Sequence, residues 1–466
     1  MMKKVLAPVL LGVFLAGCAV GPNYKQPTLA VPEHFREVEG PPTPGESLAD
    51  LQWWESFGDP VLKGLIDEAL VHGYDVRIAA SRVDEARARA GIAKSQFFPQ
   101  IRYGGDVSRG LTSTELAPGS TTRNLVSANV NFGWELDLWG RIRRLNESAK
   151  AQYLATEEAR RGVVLSLVSE VANTYFTLRA LDEQLEITKA TVGSFDEQYK
   201  LYDLKLKGGA ASSIQTSYAG AALGQVAAQL PEIERQIEAT ENRLSLLLGR
   251  NPGPIPRGGA LSAQAPPPKV PAGLPSDLLK RRPDILQAEQ LLVAANAEVG
   301  VATANFFPSI SLTGLFGGVS RDVSNLFGTG QTWSIAAGLV GPLFQGGRLR
   351  AEYEVSVARW EQAKAQYEQS VTGAFAETTT VLYAREKIDA SIAQLERTVH
   401  DYQEMVRLAN VRYDAGVSDY FEVLYAMQLL YPAQLRLVNA KLDLATDYVN
   451  IYKALGGGWN KPEGAR

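Results

Sequence analysis

Residues 181–206 read LDEQLEITKATVGSFDEQYKLYDLKL, and within them Leu181, Leu185, Thr188, Val192, Phe195, Tyr199, Tyr202 and Leu206 step by four and three positions. That is the spacing of a heptad seam, the apolar stripe along which one helix lies against another. The same steps recur 207 positions later at Ile388, Ile392, Leu395, Val399, Tyr402, Val406, Ala409 and Tyr413. Each seam runs into a glycine turn, Lys207-Gly208-Gly209 in one copy and Asp414-Ala415-Gly416 in the other, and a new helical pattern follows. Each copy is therefore a long helical hairpin. The outgoing stretches 141–206 and 348–413 contain no proline over 66 residues each, which at 1.5 Å per residue is roughly 100 Å of helix.

Duplication accounts for the length of 466 residues without two unrelated domains. Asn251 to Ser276, with eight prolines and several glycines, reads as the linker between the halves. The return helices, Ile214–Leu248 and Phe421–Leu455, contain Pro231 and Pro432, and each is predicted to break into two stacked pieces. Ahead of the first long helix, Val61–Gln96 is predicted helical with a break near Gly73, Asp75 as N-cap of the second part, and Phe97-Phe98-Pro99 as the stop. Asp284–Ala304 and Phe306-Phe307-Pro308 are the equivalents at an offset of 209, so an indel lies between the stop and the seam.

In that connection the period changes from helical to two. Val126, Ala128, Val130, Phe132, Trp134, Leu136 and Leu138 alternate with Ser127, Asn129, Asn131, Gly133, Glu135 and Asp137, as on a strand with one apolar and one polar face. Ile101, Tyr103 and Val107 mark a shorter strand before it. In the second half Ile310, Leu312 and Phe316 begin one strand, and Trp333, Ile335, Ala337 and Leu339 form another. Polar loops, Thr112–Arg123 and Gly317–Gln331, join the strands of each pair.

The N-terminus reads as a secretory signal: Lys3 and Lys4, an apolar run from Val5 to Leu15, then Leu15-Ala16-Gly17-Cys18. The run is too short to span a bilayer as a helix. Its ending resembles a bacterial lipobox, which makes Cys18 the lipidated first residue of the mature chain, and Ala19 rather than aspartate after it implies sorting to the outer membrane. In that setting, strands of about 9 to 11 residues span the bilayer with apolar faces toward lipid. Four strands cannot enclose a lumen, and lipid does not tolerate an open edge, so several chains must share one barrel.

Composition narrows the functional classes. The formal charge of −4, or −6 without Lys3 and Lys4, offers no basic patch for nucleic acid. Cys18 is the single cysteine, so neither a disulfide framework nor a cysteine metal site can form. With only His34, His72 and His400, and no phosphate loop or nucleophile elbow, no catalytic centre, metal site or cofactor is expected. A coiled-coil spacer lipoprotein is the competing reading, but a spacer has no use for four amphipathic strands.

Six motifs in order resemble the TolC-like outer membrane efflux proteins, in their multidrug lipoprotein branch. They are Cys18-Ala19-Val20-Gly21-Pro22-Asn23-Tyr24, Trp53-Trp54 with Asp59-Pro60, Arg281-Arg282-Pro283-Asp284-Ile285, Phe307-Pro308-Ser309-Ile310, Gly346-Gly347-Arg348, and Leu455-Gly456-Gly457-Gly458-Trp459. The resemblance implies a fold class that is mostly α with membrane β: a homotrimer whose tandem-duplicated hairpins form an α-barrel and whose four strands per chain join a shared twelve-stranded barrel. It implies a passive exit duct of a tripartite pump for drugs or other small molecules, with a periplasmic adaptor, an inner membrane transporter and outer membrane lipid as partners. A duct for protein secretion is the alternative. The parts of the chain are then a signal peptide (1–17), an extended leader (18–60), a first repeat (61–250), the linker (251–276), a second repeat (277–458) and a tail (459–466). Gly208, Gly209 and Ser212 of the first tip, with Gly416 and Ser418 of the second, are expected to meet the adaptor. The resemblance places the closed aperture at Phe421, Tyr425 and Gln428. Here Val423, Leu424, Tyr425, Ala426, Met427 and Gln428 stand where the family has valine, leucine, aspartate, alanine, glutamine and arginine, so aromatic bulk replaces the usual charge.

Overall fold

The computed structural model describes residues 19–29, 31–32, 35, 57–110, 121–263 and 275–457. Cys18, Trp53-Trp54, most of the leader and the end of the chain lie outside them. In chain order the elements are α1 (Pro60–His72), α2 (Tyr74–Ser95), β1 (Gln100–Gly110), β2 (Arg123–Leu136), α3 (Arg141–Lys207), α4 (Ser213–Ala227), α5 (Gln229–Leu247), α6 (Pro275–Arg281), α7 (Pro283–Ala304), β3 (Ser309–Ser320), β4 (Gln331–Val340), α8 (Arg348–Asp414) and α9 (Phe421–Ala454). The two outgoing helices, α3 and α8, run 67 residues each, within one residue of the span set by the seams. The described residues divide into two compact units, one within 1–29, 82–157 and 287–369 and one within 30–81, 158–286 and 370–466.

The first unit holds an antiparallel sheet in the order β1-β2-β3-β4. β2 and β3 pair with each other, so the strand pairs of the two repeats are joined into one sheet. The register lines up Tyr103, Val130, Phe316 and Trp333 across the four strands, and next to them Ile101, Phe132, Gly314 and Ile335. Side chains alternate along a strand, so these rows share one face. It is an apolar face turned outward: Tyr103 is 93% exposed, Trp333 73% and Ile335 81%. β3 runs through Gly317 and Gly318 to Ser320, four residues into the predicted loop, because these glycines admit a close backbone. A Cβ on Gly317 would lie 2.2 Å from the Ala128 carbonyl oxygen, and one on Gly318 1.9 Å from that of Leu326.

The helix stops are fixed by two tryptophans. The Trp134 indole donates to the Phe97 carbonyl (3.0 Å), and the Trp139 indole donates to the Pro308 carbonyl (2.8 Å) and stacks on Phe307. Asp137 starts α3 by accepting from the Ile142 and Arg143 amides, at 2.9 Å each. Leader residues lie against this unit: the Val20 amide donates to Trp139, Arg144 Nη2 to Asn23 Oδ1 (2.7 Å), Asn296 Nδ2 to the Pro22 carbonyl (3.0 Å), and the Tyr24 hydroxyl to Glu289. Gly21 passes so near Gly300 that a Cβ on it would stand 2.5 Å from the Gly300 Cα.

The main core lies in the second unit, where Leu62 and Ile66 of α1, Val171, Tyr175 and Phe176 of α3, Leu244 of α5 and Val449 of α9 are buried together. Asp59 caps α1 through the Val61 and Leu62 amides, and Oδ2 of the same carboxylate accepts the buried Tyr175 hydroxyl (2.8 Å). Tyr175 in turn accepts the Gly258 amide (2.9 Å). Burial beside Asp59 pushes the Tyr175 phenol well above its usual range, so it stays a neutral donor.

Three predicted features come out differently. Asp75 is inside the first turn of α2 rather than capping it, because Gly73, whose amide donates to the Ala69 carbonyl, takes the junction between α1 and α2. The stretch read as a linker is docked over 251–263. Ile255 and Leu261 are buried in the core, Arg257 pairs with Asp182 and Glu241, and Pro275 already opens α6. The first return is broken at Ala228 between α4 and α5, but the second, α9, continues through Pro432. One missing backbone donor is tolerated there by packing on either side, with Ala433 and Val438 buried and the Tyr431 hydroxyl 3.1 Å from Thr188 Oγ1.

Candidate functional site at the hairpin tips

Along the α3 seam burial falls on every seventh residue: Leu181, Thr188, Phe195 and Tyr202 are buried, whereas Tyr199 and Leu206 on the companion line remain exposed. Within one chain the heptad line of Leu181 is fully covered, while the companion line is covered in part, with Val192 packed against the tip cluster.

Toward the tips the buried flank meets Ala219, Ala222 and Val226 of α4, Ala409 of α8 and Val423 and Leu424 of α9. Tyr420, 1% exposed, sits at the centre, edge-on to Tyr202 (5.3 Å) and Tyr413 (5.0 Å). The Lys205 ammonium lies 4.8 Å from the Tyr413 ring centre and donates to its hydroxyl, tying α3 to α8. Arg412 Nε pairs with Glu422 at 3.0 Å and ties α8 to the start of α9. Burial first, then the neighbouring phenols, pushes the Tyr420 hydroxyl well above its ordinary range; burial and then the Asp419 charge do the same for Tyr202. Tyr420 and Tyr202 therefore stay neutral.

The predicted tip residues are placed unequally. Gly209 (φ +72°) and Gly416 (φ +68°) adopt the left-handed conformation that ends a helix, and together with Gly208 they are exposed. Ser212 is the N-cap of α4 in a complete capping box with Gln215. Ser418 is placed differently from Ser212. It is half-buried, and its hydroxyl oxygen is shielded from solvent with no hydrogen-bond partner among the described residues.

Phe421 is 54% exposed, Tyr425 48%. The seam therefore closes through Leu424, and these two rings stay outside the packing of a single chain. Tyr218, not anticipated from the sequence, packs its ring 5.4 Å from Phe421 and donates to Gln428 Oε1 (3.2 Å), so α4 braces this face of α9. Only the helical phase of Tyr218 relative to the buried Ala219 and Ala222 could have signalled it.

Farther along α9, Asp447 is buried, and its Oδ2 finds no hydrogen-bond partner among the described residues. Burial pushes the carboxyl up to about 7, opposed by the charge of Arg385 and reinforced by those of Asp389 and Asp443.

A hydrophobic-seamed pair of duplicated hairpins, an outward apolar four-stranded sheet and glycine tips define an outer membrane channel, and the outer membrane efflux protein family matches residues 65–250 and 274–457. The chain belongs to that family, and the protein is an outer membrane efflux channel of mostly helical fold. It is 37% identical over 469 residues to the solvent efflux pump outer membrane protein SrpC of Pseudomonas putida, covering 98% of this chain and 99% of that one. To the cation efflux system protein CusC of Escherichia coli (strain K12) it is 32% identical, covering 97% and 99%. Among solved structures it resembles the open state of the Neisseria gonorrhoeae MtrE outer membrane channel, with a TM-score of 0.85, 31% identity and coverage of 95% and 98%. The Campylobacter jejuni CmeC outer membrane channel gives a TM-score of 0.87 at 27% identity, with 95% of each chain covered. Among the described residues no helix is long and apolar enough to cross a membrane.

Proposed function

We propose that three copies of this chain assemble into the passive exit duct of a tripartite pump, exporting drugs or other small organic molecules. The observation that carries this is the sheet: four strands in one antiparallel order, with an exposed apolar face and with β1 and β4 each paired on one side only among the described residues. Such a sheet is stable in a bilayer only when further strands close it, and three chains supply twelve. The helical hairpins of the three chains enclose a lumen of their own. Phe421, Tyr425 and Gln428 narrow it, and the tips at Gly208, Gly209, Ser212, Gly416 and Ser418 receive a periplasmic adaptor coupled to an inner membrane transporter. Adaptor contact opens the duct by loosening the Lys205–Tyr413 and Arg412–Glu422 ties. Lipid on Cys18 and the docked leader hold the chain at the outer membrane. An aromatic, uncharged narrowing suits neutral organic cargo, in keeping with the solvent pump that SrpC serves. The duct does no chemistry.

Purified protein in a planar lipid bilayer should show stepwise conductance, and its native mass should be that of three chains. A monomer that never conducts would make the spacer reading the better one.

A further inference from the structure

Beside the aperture lies a groove of about 570 Å³ between α3, α4, α5 and α9, within the range of sites for drug-sized ligands. Its apolar wall comes from Phe195, Val226 and Leu435, and its hydrogen-bonding groups from Gln225, Gln229, Gln428 and Tyr431. No lysine, arginine, aspartate or glutamate lines it among the described residues. Pro432 also stands at its wall. A charged molecule entering here would shed water without meeting a counter-charge. A neutral molecule with an aromatic body and one or two polar atoms would find a ring, aliphatic surface and amides within reach.

The groove is also continuous with the aperture. Gln428 belongs to both, and Tyr218, which lines the groove, packs its ring at a tilt against Phe421. We propose that this groove is a holding site for neutral, amphipathic aromatic molecules at the narrowest part of the duct. The site selects by charge, admitting uncharged compounds and leaving their anionic or cationic analogues in bulk water. The proposal rests on the duct reading above and names the cargo class of that duct.

Photolabelling tests it on the full-length assembled channel in lipid nanodiscs, with benzophenone as the neutral probe and 4-benzoylbenzoate as its anionic counterpart. After irradiation and peptide mass mapping, benzophenone adducts should concentrate between Tyr218 and Gln229 and between Gln428 and Leu435, with the anionic probe absent from both. Gln225→Glu places a charge at the wall without changing its shape, and should lower benzophenone labelling there severalfold. Adducts spread evenly along the helices, or equal labelling by the two probes, would overturn the proposal. So would complete protection of these peptides in the assembled channel, which would mean that a second copy of the chain covers the groove. Conductance recorded from the same preparation separates the layers of inference. A channel that conducts but does not label loses the groove alone, and one that neither conducts nor labels loses the duct as well.

Discussion

Removing both aperture rings should raise resting conductance while sparing the assembly, and the structure sets how much stability the removal costs. Phe421 is 54% exposed and Tyr425 48%. Full burial of a large apolar side chain stabilises by about 1.5–3 kcal/mol, so truncating two half-exposed rings to alanine costs about 1 kcal/mol each. Loss of the Tyr218–Phe421 ring contact at 5.4 Å adds about 0.5–1.5 kcal/mol. The sum, about 3 kcal/mol, is spread over the tip of a helix whose core side, through Tyr420, Val423 and Leu424, is untouched. Tyr420→Ala, by contrast, empties a buried aromatic site at a cost of about 3–5 kcal/mol and should unpick the tip packing itself. Phe421→Ala with Tyr425→Ala should therefore give a trimer of normal native mass whose closed-state conductance in a planar bilayer is severalfold above the parent. Cation selectivity of the parent should be weak, because aromatic bulk rather than a ring of carboxylates makes the barrier. A double variant that assembles normally and conducts like the parent refutes the aperture assignment. One that loses its trimer shows the rings packing between chains instead.

A charge pair at the tips should uncouple the channel from its adaptor: Ser212→Asp, which preserves the α4 cap, with Val417→Asp at a 66% exposed position, should abolish drug resistance in cells with the trimer intact. Normal resistance would count against the tip contact. Asp447 gives a pH signature with a worked sign: its folded-state pKa is raised from 3.8 to about 7, so between those values the folded chain keeps a proton that the unfolded chain releases, and stability falls as pH rises. The Tm of the parent should fall more than that of Asp447→Asn between about pH 5 and about pH 8, and parallel curves would remove the assignment. Cys18→Ser should lose the lipid seen by mass spectrometry of the mature N-terminus and lower sorting or assembly efficiency more than conductance; an unmodified parent N-terminus would rule out the anchor.

The long helices were legible to a residue because a heptad line is redundant: each apolar position of α3 is restated at a fixed step and again in α8. β2 was legible for the same reason at period two. What escaped were features fixed by distant partners. Gly317 and Gly318 read as a turn by local propensity, yet they are strand residues because the Ala128 and Leu326 carbonyls crowd them. The docked part of 251–263 is held by Ile255, Leu261 and Arg257, too sparse to show a period, and its ion pairs reach Asp182 and Glu241 far away in sequence. At the tips the glycine turns could be read from spacing, whereas the Ser212 cap was not read, and the tyrosine cluster around Tyr420 and the brace from Tyr218 arise only when four helices converge.

The pairing of β2 with β3 sets a constraint on biogenesis. Leu136 meets Ile310 and Val126 meets Ser320, partners 174 and 194 positions apart, whereas β1 finds β2 across a short connection. A nascent chain that has emitted only its first half holds a hairpin with two naked edges and an apolar face, and it stays so until the second half has been synthesised and moved across the inner membrane. Gene duplication therefore left a product that cannot be matured one half at a time. A truncated half-chain should be a substrate for periplasmic holdases and proteases rather than a smaller pore.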